Sequence, residues 1–263
     1  MTRLPVLFVS HGSPMTALEP GDAGAAWTRL GRDAAAPRAV LIVSAHWETE
    51  LPMLTGSAKP STVHDFGGFP DALYKLRYAA PGEPSVAAEA VALLKEAGIT
   101  AGIDGCRGLD HGAWVPLMHM FPDANVPVVA MSVQPARGAA HHIALGRAIA
   151  PLSDRGVLIV GSGHATHNLR DWMTHAGRGE PIPYVAEFSD WLAATLEQGD
   201  DRALSEWKTQ GPQASRAHPS DEHFLPLLVA YGAAGEHPRV DRVHRSIVAG
   251  ALAMDAYRMV RVA

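Results

Sequence analysis

Two histidines, His11 and His46, each close a short apolar run and precede a polar turn, in Val6-Leu7-Phe8-Val9-Ser10-His11-Gly12 and Val40-Leu41-Ile42-Val43-Ser44-Ala45-His46. Neutral imidazole is the commonest protein metal ligand, so a matched pair in this setting favours ligation over two capping or core-edge side chains. The remaining histidines of the 14 are unevenly spread. Gly163-His164-Ala165-Thr166-His167-Asn168 follows another apolar run. His164 and His167 share a face if that turn opens a helix, with one toward the metal and the other behind it or in solvent. His223, in His218-Pro219-Ser220-Asp221-Glu222-His223-Phe224, lies in or just before a helix start that Ser220 or Asp221 can cap. Pro226 leaves that boundary open. Asp110-His111 is either a coupled acid/base unit or a turn with a hydrogen-bonded carboxylate. His141, His142, His175, His237 and His244 read as surface residues, and His119 as core-edge.

Positioning these groups requires strands. Continuous Val/Ile/Leu runs read as strands buried on both faces of a parallel sheet, and ligands bind beyond the carboxyl ends of such strands. Val126-Pro127-Val128-Val129-Ala130-Met131 and Val157-Leu158-Ile159-Val160-Gly161 follow the same pattern. Helices are expected over 83–97, 139–152 and 184–197, and strands alternating with helices imply crossovers. The expected fold is α/β, one domain over 1–263, with a mainly parallel or mixed central sheet flanked by helices. Residues 247–262 suit a helix in their Ala-rich part and a strand at their end. Loops 60–70 and 177–183 are rich in Gly and Pro, and long loops in compact domains are often functional.

Composition narrows the chemistry. The 263 residues are 47% hydrophobic and 19% charged, with a net charge of −5 and no Lys/Arg stripe, so a nucleic-acid partner is not expected. Cys106 is the single cysteine, which rules out multi-thiolate metal sites and leaves N and O ligands. No segment approaches ~18 consecutive apolar residues, and the first apolar run is too short for a signal-peptide core. A cytoplasmic protein without membrane partners, a monomer or small homo-oligomer, is expected. Walker and strand-linked G-x-G-x-x-G loops are absent, as is a G-x-S-x-G elbow, which makes Ser13 and Ser162 poor nucleophile candidates.

Taken in order, S-H-G-S-P, S-A-H-W-E, V-H-D-F-G-G-F-P, L-D-H-G-A-W-V-P-L, T-H-N-L and H-P-S-D-E-H-F-L-P-L resemble the DODA-type (4,5-DOPA) extradiol ring-cleavage dioxygenases. These are class III extradiol enzymes, related to protocatechuate 4,5-dioxygenase catalytic subunits. The resemblance runs from about residue 5 to 230. It implies a non-haem Fe(II) enzyme, with Zn plausible in the same pocket, that opens a DOPA- or protocatechuate-like catechol with O2. It also implies that His11, His46 and His223 hold the metal and that His167 and His111 handle protons at the substrate. His64, Asp65 and Phe69 of the aromatic loop, with His164, are the expected substrate contacts. The usual facial set for non-haem Fe(II) is two His and one carboxylate, whereas His223 makes a third imidazole, which also suits zinc.

Two other enzyme classes share part of this pattern. A zinc hydrolase would use three His, a bound water and a nearby base such as Glu48 or Glu222. A tetrapyrrole metal chelatase matches at the first motif alone, and a non-enzymatic metal-binding role fits the clustered imidazoles least well.

Overall fold

The structure, a computed structural model, describes residues 3–34, 36–175 and 180–262. Its strands are β1 (Val6–Ser10), β2 (Ala39–Glu48), β3 (Met53–Thr55), β4 (Gly102–Asp104), β5 (Val128–Val133), β6 (Val157–Gly163), β7 (Arg239–His244), β8 (Ile247–Val248), β9 (Leu252–Ala253) and β10 (Ala256–Val260). The longer helices are α1 (Gly21–Asp33), α2 (Pro84–Glu96), α3 (His111–Met120), α4 (Gly138–Ile149), α5 (Leu169–His175), α6 (Pro183–Gln198) and α7 (Leu225–Ala233). Eight strands form one mixed sheet in the order β4-β3-β5-β2-β6-β1-β10-β7. The central four, β5-β2-β6-β1, are parallel, and β10 and β3 join antiparallel on either side.

Alternation along the strands explains the layering. Val6, Phe8, Leu41, Val43, Val129 and Ile159 face one side, where α2, α4, α6 and α7 cover them. Leu7, Val9, Val40, Ile42, Leu158 and Val160 face the other, against α1 and α3. A sheet covered on both faces accounts for the unbroken apolar runs, since successive side chains enter opposite cores.

Several expectations need correction. Residues 247–262 form β8, β9 and β10 and no helix. Ala249 and Gly250 both adopt left-handed φ, 47° and 72°, which stops a right-handed helix between β8 and β9. The turn after β6 does not open a helix at His164, because α5 begins only at Leu169. The intervening groups bond elsewhere: His167 N–H donates to Ala217 O at 2.8 Å, and Thr166 Oγ1 to Ala251 O at 3.0 Å. His142 is fully buried, accepting from Gln134 N–H at 3.1 Å and donating to Gly138 O at 2.6 Å, so it fastens α4 to the end of β5. Residues 177–179 of the second expected loop lie outside the described residues. Among the described residues no helix is long and apolar enough to cross a membrane.

Candidate metal centre and active site

The strand register brings three strand ends together. Ser10 pairs with Gly163 and Ser44 with Ser162, so β1, β6 and the pairing of β2 with β6 end at one level. His11 follows β1 directly. His46 sits where the pairing of β2 with β5 slips between Val43 and Glu48, an irregularity that re-aims side chains from a sheet edge. His223 precedes α7, in whose first turn Pro226 stands and needs no N–H partner. Bare backbone at Gly161 and Gly163 admits this segment, since a Cβ at either would strike the carbonyl oxygen of Pro226 or His223. His164 N–H then donates to His223 O at 2.8 Å. The G-S-G sequence after Val160 thus serves close approach, and no phosphate cradle is involved.

Three Nε2 atoms converge. His46 Nε2 lies 3.0 Å from His11 Nε2 and 3.3 Å from His223 Nε2. Each opposite ring nitrogen meets an oxygen: His11 Nδ1 faces Ser162 Oγ at 3.0 Å, His223 Nδ1 faces Glu222 Oε1 at 2.8 Å, and His46 Nδ1 lies 3.6 Å from Asp65 Oδ2. The proton of a neutral ring belongs on Nδ1 under those partners, which leaves the Nε2 lone pairs pointing at a common centre. Burial and the neighbouring imidazoles push His11 and His223 well below the usual range. Burial, followed by His111, holds His46 down to about 3 despite the opposing Asp65. Three uncharged lone pairs this close repel unless a cation lies between them. The spacing suits one ion about 2.0–2.1 Å from each nitrogen, and among the described residues these atoms form a potential metal-holding group.

Ser162 acquires its orientation from a proline. Pro116, inside α3, has no N–H to offer the Gly112 carbonyl four residues earlier, and Ser162 Oγ donates to that carbonyl instead. Its hydroxyl proton being committed, the Ser162 oxygen accepts from His11 Nδ1. Ser162→Ala is therefore expected to lower divalent-metal affinity by about 10–100-fold, the usual worth of a group that orients a ligand histidine. Chelator-competition titration measures this, and an unchanged affinity would mean that the hydroxyl does not set the ring.

The Asp110-His111 alternative resolves by division of labour. Asp110 is fully buried, caps α3 through Ala113 N–H at 3.2 Å, and takes bonds from Ser44 Oγ at 2.6 Å and Arg107 Nη2 at 3.1 Å. His111 pairs instead with Asp65, whose carboxylate accepts from the His111 amide and from Nδ1, both at 2.9 Å. Burial would raise the Asp65 carboxyl, but the His111 side chain and amide, with His46, hold it down to about 2. Asp65 does not line the cavity as the sequence suggested, because its oxygens are turned onto His111 and His46. His64 is also displaced, its Nε2 lying 3.1 Å from Leu76 O behind Phe66, away from the cavity wall.

A cavity of about 280 Å³ opens beside the converging nitrogens, and its lining includes His11, His46, His111, His164, His167 and His223. Pro14, Phe66, Phe69, Leu169, Trp172 and Leu252 complete its apolar lining. His167 stacks on His223 with centroids 3.5 Å apart and planes 11° apart. Burial, with His111 alongside, lowers its pKa to about 4, so the ring is uncharged at neutral pH and has a lone pair to offer. His164 uses Nε2 to accept the Gly12 N–H at 3.1 Å, while its buried Nδ1 has no partner among the described residues. Sequence reading missed Ser162, Leu169 and Trp172. Only the position of Ser162 at a strand end beside two glycines hinted at its role, Leu169 was marked only as the last residue of T-H-N-L, and nothing marked Trp172.

Residues 5–253 match the family described as the catalytic LigB subunit of aromatic ring-opening dioxygenase. The chain is 40% identical to the 4,5-DOPA dioxygenase extradiol of Beta vulgaris, covering 95% of this chain and 94% of that one. It is also 40% identical to the protein of that name from Escherichia coli K12, covering 88% and 86%. A crystal structure of an uncharacterised Escherichia coli K12 protein superposes with a TM-score of 0.82 at 34% identity, covering 97% of this chain and 99% of the other. These matches displace the hydrolase and chelatase alternatives. The chain belongs to the LigB family of aromatic ring-opening dioxygenases, as an extradiol ring-cleavage enzyme.

Proposed function

We propose that this chain uses one divalent metal, held by His11, His46 and His223, to insert both atoms of O2 into the ring of a 4-substituted catechol, giving a ring-opened semialdehyde. The convergence of three Nε2 atoms at the floor of an aromatic-walled cavity carries this reading. Bound there, Fe(II) supplies the electron exchange with O2 and the anchoring of the catechol oxygens. The protein side chains do the rest. Phe66 and Phe69 hold the flat ring and exclude water. His167 accepts a hydroxyl proton as the diol binds and returns it to oxygen as the O–O bond breaks, a two-way task that suits an imidazole. His111, its Nδ1 proton fixed on Asp65, keeps Nε2 for an oxygen atom beside the ring. We further propose that residues 1–263 act as one catalytic domain, since the sheet unites β1 and β10 from opposite ends of the chain.

Glu222 is a poor hydrolytic base, because its carboxylate is engaged by His223 Nδ1 and Ser220 Oγ, the latter at 3.0 Å. Anaerobic loading followed by an oxygen electrode tests the proposal. The Fe(II) protein is expected to consume O2 with a catechol and form a coloured semialdehyde. The Zn protein is expected to do neither, because Zn has no accessible redox change. Absence of uptake by the Fe(II) form across a catechol panel would refute the reading.

A further inference from the structure

Helix α5 contributes two of the apolar side chains on the cavity wall and contains no buried residue. Leu169, Trp172 and Met173 stand at i, i+3 and i+4 and share one helix face. Leu169 is 49% exposed and Met173 66% exposed, so large apolar side chains continue the wall outward from the mouth. The orientation of the helix is fixed from its polar side. Asn168 Oδ1 accepts the Asp171 N–H at 2.9 Å, Asn168 Nδ2 donates to Arg216 O at 2.7 Å, and Arg216 Nε pairs with Asp171 Oδ2 at 2.9 Å. With Asp171 held toward Arg216, the Leu169–Trp172–Met173 face is left at the cavity entrance.

The cavity itself is without fixed charge among the described residues. Its lining has no Lys, Arg, Asp or Glu. At the mouth, away from the metal-holding nitrogens, a carboxylate or ammonium group would lose hydration without gaining a side-chain counter-charge, whereas an alkyl or aryl group would be covered.

We propose that the ring-cleavage site is specific for catechols bearing an apolar substituent, which lies on the Leu169–Trp172–Met173 face of α5. This rests on the catechol reading above and specifies its substrate class. With the diol at the three Nε2 atoms, ring positions remote from it point to the mouth, where that face begins.

Anaerobic calorimetry on the Fe(II)-loaded protein tests this without turnover, using 4-methylcatechol, 4-propylcatechol, DOPA and protocatechuate. Each methylene covered is worth about fourfold in affinity. 4-Propylcatechol is therefore expected to bind about 15-fold tighter than 4-methylcatechol, and tighter than either charged catechol. Trp172→Ala should reduce the propyl-to-methyl ratio to about fourfold or less, and Trp172→Phe should restore most of it. A wild-type ratio near one, or tighter binding of DOPA or protocatechuate than of 4-propylcatechol, overturns the proposal. Oxygen uptake separates the two readings: with no uptake by any catechol the ring-cleavage reading falls, while the dissociation constants still decide what α5 selects.

Discussion

Replacing His46 by alanine is expected to leave a folded protein that no longer holds a stoichiometric divalent metal and has no measurable ring-cleavage activity. His46 is the shared vertex of the nitrogen cluster, 3.0 Å from His11 and 3.3 Å from His223, so its loss leaves two imidazoles and a gap on the cavity side. Metal binding free energies of about 10–16 kcal/mol spread over three or four ligands give each roughly 3–5 kcal/mol, a loss of about 10² to 10³-fold or more in affinity. The fold should survive, because the strand core below Ser44 is apolar and does not depend on this ring. Elemental analysis after gel filtration, with circular dichroism as the control for folding, measures the effect. Full metal retention in a folded His46→Ala protein would remove His46 from the ligand set.

His167→Gln is expected to keep its metal and lose about 10²–10⁴ in kcat, the usual contribution of a positioned acid/base group. Glutamine approximates the size and hydrogen bonding of histidine, yet takes up no proton near neutral pH. His167 stacks on His223 and lines the cavity, and its ring nitrogens are not among the three converging Nε2 atoms. Loss of metal together with activity would make His167 a ligand, a possibility its proximity to His223 and Glu222 makes worth measuring. Unchanged turnover would transfer proton handling to His111. His164 is not an equivalent substitute, because the Gly12 amide already occupies its accepting nitrogen.

Asp65 illustrates why a residue near the right place can have the wrong role when read from sequence. Within V-H-D-F-G-G-F-P it stands among aromatic residues suited to covering a ring, and contact with substrate was the natural expectation. Its actual partners are 46 and 19 residues away in the chain, where no periodicity or turn signal could announce them. The same holds for Ser162, which is tied to Gly112 and His11, and for Arg216, which anchors α5. The Ala-rich stretch near the C-terminus was ambiguous for a different reason. Its composition permits a helix, and the choice fell to β10 pairing with β1 and to two left-handed residues in the preceding turn.

The sequence by itself determined the α/β class, the strand-end placement of His11 and His46, and the family, because local apolar patterning and ordered motifs are properties of the chain, whereas the start of the helix after His223 was left open by Pro226 and was decided by the structure. Only the tertiary structure decided which nitrogen of each imidazole faces the centre and which carboxylate serves which histidine. Those are set by strand register and by partners distant in sequence, such as the Gly112 carbonyl that Pro116 leaves free for Ser162. Three-dimensional packing alone brings such groups within hydrogen-bond distance.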